Sequence, residues 1–182
     1  MELLRILLTH PGVELTAVTS RAEAGKRIDM VFPRFAKASA ASLTFSEPDP
    51  DLITSSGAEV AFLALPHGVA AEIARALLDR GLKVIDLSAD FRLQAASVYE
   101  EFYGNAHPAP DLLEKAVYGL PEIRAAEIAT ASLIASPGCY PTSIILPLLP
   151  LLRENLIDPA TIVANSMSGV SGAGRKADLS LL

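Results

Sequence analysis

Apolar residues recur at helical spacing in some stretches of this chain and run together in others, and the alternation of the two predicts most of its elements. Glu2–Thr9 (ELLRILLT) sets Leu3, Leu4, Leu7 and Leu8 on one helical face and stops at His10-Pro11-Gly12. Val13–Thr19 (VELTAVT) reads as a strand ending in Thr19-Ser20-Arg21. Signals are mixed from Ala22 to Ser56, where Leu43-Thr44-Phe45 is a short candidate strand and Glu47-Pro48-Asp49-Pro50-Asp51 a solvated turn. From Glu59 the pattern is clean: Val60–Leu65 is a continuous apolar strand, Val69–Arg80 an amphipathic helix closed by Gly81, and Lys83–Leu87 the next strand. Ser132–Ala135 is strand-like, Thr142–Leu152 reads as a helix, and Thr161–Ala164 as a further strand.

Uninterrupted apolar strands alternating with helices imply a parallel sheet with helices on both faces, an α/β Rossmann-like fold. A helix followed by a strand at the very start predicts a βαβ unit whose first strand is missing. Parallel strands end on one edge, and in open α/β sheets ligands bind beyond those carboxyl ends. Three polar turns are expected there: Thr19-Ser20-Arg21, Pro66-His67-Gly68 and Ser88-Ala89-Asp90-Phe91-Arg92. The fourth is Pro137-Gly138-Cys139-Tyr140-Pro141-Thr142, which holds the one cysteine of the chain.

Cys139 is expected in the turn between strand and helix, with Pro141 at the first helical position, where a missing N–H costs nothing. Free N–H groups and the positive end of the helix dipole favour a thiolate at such a place. Lone cysteines are as a rule packed as small hydrophobes, so a reactive and a buried thiol are both open on this ground. After Ala164 comes Asn165–Lys176, rich in glycine and serine and ending in two basic residues, a loop of the kind that offers N–H groups to an anion.

Composition narrows the function classes. The chain has 182 residues, 51% hydrophobic, with a net charge of −6 from 15 basic and 21 acidic residues. It can bury a large core, and no basic cluster is longer than Arg175-Lys176, which argues against nucleic acid as a partner. One cysteine excludes an internal disulfide framework and is compatible with a reducing compartment. No apolar run reaches the length of a membrane span, and Met1–Arg5 lacks the features of a signal peptide, so a cytoplasmic protein without membrane association is expected.

Taken in order, Thr19–Arg21, Leu65–Gly68, Asp86–Arg92, Val117-Tyr118-Gly119-Leu120-Pro121-Glu122, Pro137–Thr142 and Ser168–Arg175 resemble the N-acetyl-gamma-glutamyl-phosphate reductases of arginine biosynthesis over essentially the whole chain. The resemblance implies an NADP(H)-dependent oxidoreductase acting on a small acyl phosphate. Cys139 attacks the acyl carbon and forms a thioester, which hydride reduces to the semialdehyde. By the same resemblance Ser20 and Arg21 meet the adenosine ribose and its 2′-phosphate. Pro66, His67, Gly68, Ser88, Ser171, Gly172, Ala173 and Gly174 line the cofactor, and Arg92, Tyr140 and Ser168 face the substrate. No metal is implied. The domains expected are an NADP-binding domain over 1–139 and the beginning of an α+β catalytic and dimerisation domain over 140–182, with a homodimer or homotetramer at full length.

The family pattern also contains a Gly-x-x-Gly-x-x-Gly loop before the equivalent of Glu2–Arg5 and an acid–base histidine well beyond the glycine-rich loop. Neither is found here; His67 belongs to the cofactor wall and His107 to a His-Pro loop. The expectation is an internal piece, or the product of a truncated gene, of such an enzyme, which binds NADPH weakly and turns over slowly or not at all. Competing readings are a related semialdehyde dehydrogenase, a non-catalytic nucleotide-binding or regulatory module with a packed Cys139, and a fragment without independent function that folds only with its missing segments.

Overall fold

Four short strands build the centre of the fold in a computed structural model that describes residues 1–173. β1 (Val60–Leu63), β2 (Lys83–Asp86), β3 (Val117–Tyr118) and β4 (Leu133–Ala135) lie in the order β1-β2-β4-β3, every pair parallel. The register aligns Leu63, Asp86 and Ala135 in one row and Phe62, Ile85 and Ile134 in the row before it, so the two rows face opposite sides. On the first side Leu63, Val84, Asp86, Leu133 and Ala135 are buried; on the second, Phe62, Ile85 and Ile134 are half-buried.

The fully buried side is covered by α4 (Ala70–Leu78), whose Ala70, Ala71, Ala74 and Leu77 fall at helical spacing on one stripe and are inaccessible. Three alanines on that stripe let the helix lie close to the sheet. Gly81, at φ +84°, closes α4 as expected, with the Leu82 N–H donated to the Leu77 carbonyl. Leu112, Leu113 and Ala116, around a 3₁₀ turn over Pro110–Lys115, complete the same core.

A smaller apolar cluster joins Val18, Ile28, Phe35 and Phe45 to Leu4 and Leu8. It holds α1 (Glu2–Leu7) and α2 (Ile28–Val31). Val13–Thr19 is not a strand: it forms one parallel bridge, Thr19 to Ser46. Its partner segment runs at once into Glu47-Pro48-Asp49-Pro50, whose prolines have no N–H with which to extend a ladder, and Pro50 instead opens α3 (Pro50–Ser55). Leu43–Phe45 likewise yields a single antiparallel bridge, Thr44 to Arg27. Between β2 and β4 lie α5 (Ala96–Tyr103), β3 and α6 (Pro121–Thr130), which the apolar pattern did not predict.

Backbone contacts divide the chain into two units, Met1–Ser136 and a second beginning at Pro137. The second is dominated by α7 (Cys139–Arg153), which continues through Pro147 and Pro150. Thr161–Ala164 is not a strand. A 3₁₀ turn ends at Thr161, and the β-branched Val163, 91% exposed, has no partner strand among the described residues.

Candidate active site

The carboxyl ends of β1 and β2 open into two turns that hydrogen bonds lock together. Asp86, the last residue of β2, is fully buried and accepts from its own turn: the Ser88 N–H at 3.0 Å and the Ser88 hydroxyl at 2.7 Å. Burial pushes the Asp86 carboxyl up from the ordinary range, while the two bonds from Ser88 act against that shift. The Ser88 oxygen in turn accepts the Asp90 N–H at 3.1 Å, so this hydroxyl, expected at the cofactor, is engaged as both donor and acceptor inside the turn.

Asp90 carries the link to the neighbouring turn. Its carboxylate accepts the Gly68 N–H at 2.7 Å, the Ala71 N–H at 3.1 Å and the Tyr99 hydroxyl at 3.3 Å. Gly68 has φ +82°, the left-handed region, with open space where a Cβ would stand, so glycine is required here by backbone conformation. Pro66 and His67 are exposed beside it, and the His67 ring stands 5.8 Å from Tyr103. His107 is buried with both ring nitrogens engaged: Nδ1 accepts the Ala109 N–H, which leaves the proton on Nε2 to donate to the Asp90 carbonyl at 2.8 Å. That arrangement makes it a structural residue.

Arg92, expected on the substrate side, ties the ends of β2 and β4 together by donating Nε to the Ser136 carbonyl at 2.8 Å and Nη2 to the Leu87 carbonyl at 2.9 Å. It also lines a shallow cleft of about 280 Å³ with Gln94, Tyr118 and Arg124. Burial pushes the Tyr118 phenol up, and the Arg92 charge opposes this.

Ser20 and Arg21 follow the Thr19 bridge. The Ser20 N–H is donated to the Ser46 carbonyl at 2.9 Å, and its hydroxyl has no partner among the described residues. Of the eight arginines among residues 1–136, Arg21 alone has no carboxylate or carbonyl acceptor among the described residues, and it is exposed. No hydrogen bond joins this pair to the group formed by Gly68, Ser88, Asp90 and Arg92.

In the second unit Cys139 is exposed and is itself the first residue of α7, rather than a member of the preceding turn; Gly138 is the N-cap. Pro141 is therefore the third helical residue, still within the first turn, where its missing N–H has no intrahelical acceptor to lose. The Thr142 N–H and hydroxyl both bond the Gly138 carbonyl, at 3.1 and 2.9 Å, and fix the start of the helix. Tyr140 is 42% exposed. Ser168 is exposed and donates its hydroxyl to the Gly169 carbonyl at 3.2 Å. Ser171, Gly172 and Ala173 belong to a 3₁₀ turn over Val170–Ala173, and Gly174 lies outside the described residues. Among the described residues no group of three or more His, Cys, Asp or Glu side chains is placed to hold a metal ion.

The sequence marks Asp90 only as part of a polar turn and His107 only as part of a His-Pro loop, and nothing in it singles out Tyr99. Asp90 stands inside the Ser88–Arg92 stretch, but nothing in a sequence shows that its acceptors meet a helix start 19 to 22 residues earlier.

Residues 1–131 match the NAD-binding domain of semialdehyde dehydrogenases, and residues 139–182 match the dimerisation domain of the same group. The chain is 61% identical over its whole length to the N-acetyl-gamma-glutamyl-phosphate reductase of Akkermansia muciniphila and 51% identical to that of Acidithiobacillus ferrooxidans, covering 52% of each. It thus spans about half the length of the curated relatives it matches. Among solved structures, aspartate semialdehyde dehydrogenase with NADP from Candida albicans superposes with a TM-score of 0.50 over 82% of this chain and 42% of that one, at 17% identity, a likeness of fold.

Proposed function

We propose, starting from the fact that the chain belongs to the semialdehyde dehydrogenase family, that it carries the cofactor-binding and nucleophile-bearing parts of an NADPH-dependent N-acetyl-gamma-glutamyl-phosphate reductase. The observation that carries this reading is the exposed Cys139 thiol at the first position of a 15-residue helix. The unpaired first-turn N–H groups there, among them that of Cys139, suit an oxyanion developing on the acyl group.

Cys139 attacks the acyl carbon of N-acetylglutamyl 5-phosphate as the thiolate. The C–S bond forms, the C–O bond to phosphate breaks, and the electron pair departs with phosphate, leaving a thioester on the protein. NADPH, when bound, supplies the hydride that takes this acyl group to the aldehyde level. The sulfur then leaves as thiolate and the semialdehyde is released. Arg92, Tyr140 and Ser168 serve the substrate side, Arg92 through the N–H groups its two backbone bonds leave free.

The residues present fit a 2′-phosphorylated dinucleotide. Arg21 is free and exposed, and a guanidinium matches a phosphate dianion with parallel N–H donors. The Ser20 hydroxyl next to it is also free. In the first unit the Pro66–Gly68 turn and Ser88 line the cofactor, and Ser171, Gly172, Ala173 and Gly174 are assigned to it by the family pattern alone. Ser88 acts by holding its turn, because its hydroxyl is engaged within it. The functional division runs 1–139 for the cofactor domain and 140–182 for the beginning of the catalytic and dimerisation domain, and the match of 139–182 to a dimerisation domain supports a homodimer or homotetramer. The reaction belongs to the cytoplasm; no described helix is long and apolar enough to cross a membrane.

A single-turnover assay with protein in excess tests this. NADPH absorbance should fall when N-acetylglutamyl phosphate is added, at least about tenfold faster than with aspartyl phosphate, and Cys139→Ser should abolish the change. Equal rates with the two acyl phosphates would favour a related semialdehyde dehydrogenase. An undiminished signal in Cys139→Ser would overturn the proposal.

A further inference from the structure

We propose that Asp90 is a positioning residue: it supplies from within the chain the anion that the start of α4 would otherwise take from a ligand, and so holds the Pro66–Gly68 turn as a wall for the nicotinamide ring and its ribose, the end of NADPH that lies beyond the phosphates and carries no charge. This rests on the NADPH reading above and adds to it the part of the dinucleotide that this turn takes.

The free N–H groups and dipole at a helix start attract anions, which is why dinucleotide phosphates are so often bound there. At the start of α4 that place is filled. The Asp90 carboxylate spans it, with Oδ1 on the Gly68 N–H at 2.7 Å and Oδ2 on the Ala71 N–H at 3.1 Å. All three groups that bond this side chain, the third being the Tyr99 hydroxyl, are donors, and the residue is fully buried. Its main chain is fixed as well, through the N–H to the Ser88 oxygen and the carbonyl to His107. The neighbouring cation, Arg92, is turned to the Ser136 and Leu87 carbonyls and not to Asp90.

A phosphate brought to this turn meets a carboxylate in place of free N–H groups, and Coulomb repulsion in a partly buried setting excludes it. What remains open to a ligand is the exposed Pro66, the face of the His67 ring and a Gly68 backbone without a side chain. Phosphate recognition is left to groups such as Arg21. The role of Asp90 is to hold Gly68 in its left-handed conformation at the height where a flat ring can pass over it.

The test compares the wild-type chain with Asp90→Asn and Asp90→Ala, using NADPH and 2′,5′-ADP as the two probes and amide hydrogen exchange as a readout that needs no ligand. Asp90→Asn, which keeps the shape and one acceptor, should weaken NADPH by about tenfold and leave 2′,5′-ADP within about twofold, because the adenosine end is held at Ser20 and Arg21. Exchange over residues 66–72 should accelerate at least about tenfold in both variants while β2 stays protected, and formate should restore protection in Asp90→Ala by refilling the anion place. Unchanged exchange over 66–72, no rescue by formate, or equal losses for both probes would overturn the proposal, the last because it marks a general weakening of the fold. If the wild-type chain binds neither probe, the cofactor reading fails, and the exchange and formate measurements still decide whether Asp90 holds the turn.

Discussion

Tyr99 feels its surroundings more strongly than any other phenol in the chain. It lies 4.7 Å from Tyr103 and 4.6 Å from His107, ring to ring, with its hydroxyl on Asp90. Burial first, and the Asp90 charge second, push its pKa up to about 12. Because the folded value lies above the ordinary value of about 10, the unfolded chain gives up this proton before the folded chain does. The stability that Tyr99 contributes is therefore fully present below about pH 10 and is lost as pH rises through about 12. Tyr99→Phe should cost about 1 kcal/mol at neutral pH through the lost hydrogen bond. The gap from wild type should narrow in melts near pH 11, about midway through that window. An ultraviolet titration should also lose its latest phenolate in the variant; a constant gap across this range would contradict the assignment. At this scale the sequence shows residue types but not their partners. Ser88 and Arg92 are expected to meet a cofactor and a substrate, yet the Ser88 hydroxyl is engaged by Asp86 and Asp90, and Arg92 donates to two backbone carbonyls.

Among elements, β3 and β4 show how little sequence a strand pair needs when the approach is close. Gly119 donates its N–H to the Ala135 carbonyl at 2.8 Å, and a Cβ built on it would stand 2.7 Å from the Ile134 side chain and 3.1 Å from the Ala135 oxygen. Its φ is unremarkable, so glycine is set here by space and not by backbone conformation. Gly119→Ala should force β3 away from β4 and destabilise the chain by about 1–3 kcal/mol, read as a lowered midpoint in a thermal melt. An unchanged midpoint would show that the pair is looser than described. The elements legible in the sequence were those with a strong period or a continuous apolar run: α1, β1, α4, β2, β4 and α7. Val13–Thr19 and Thr161–Ala164 had the right residues for strands but not the partners, and pairing is a property of the fold. β3 is two residues long, and α6 opens on Pro121, is rich in alanine and buries no residue, so neither offers a pattern to read.

For the molecule as a whole, the parallel sheet and the common edge at which its strands end follow from apolar runs that alternate with helices, and the family membership agrees with the words of sequence at the strand ends. The two units differ in how they are held. Residues 1–136 contain every buried side chain among the described residues, whereas α7 and the segment after it bury none, although α7 is almost wholly apolar. Such a helix gains stability only by covering its apolar surface, so the second unit depends on contacts that local propensity cannot supply. The central claim nevertheless concerns one atom of that unit, the Cys139 sulfur, and its direct test is mass spectrometry of the chain incubated with N-acetylglutamyl phosphate and no reductant. A single acyl adduct is expected on the peptide containing Cys139, removed by hydroxylamine and absent from Cys139→Ser; an unmodified Cys139, or an adduct that persists in Cys139→Ser, would rule out the thioester.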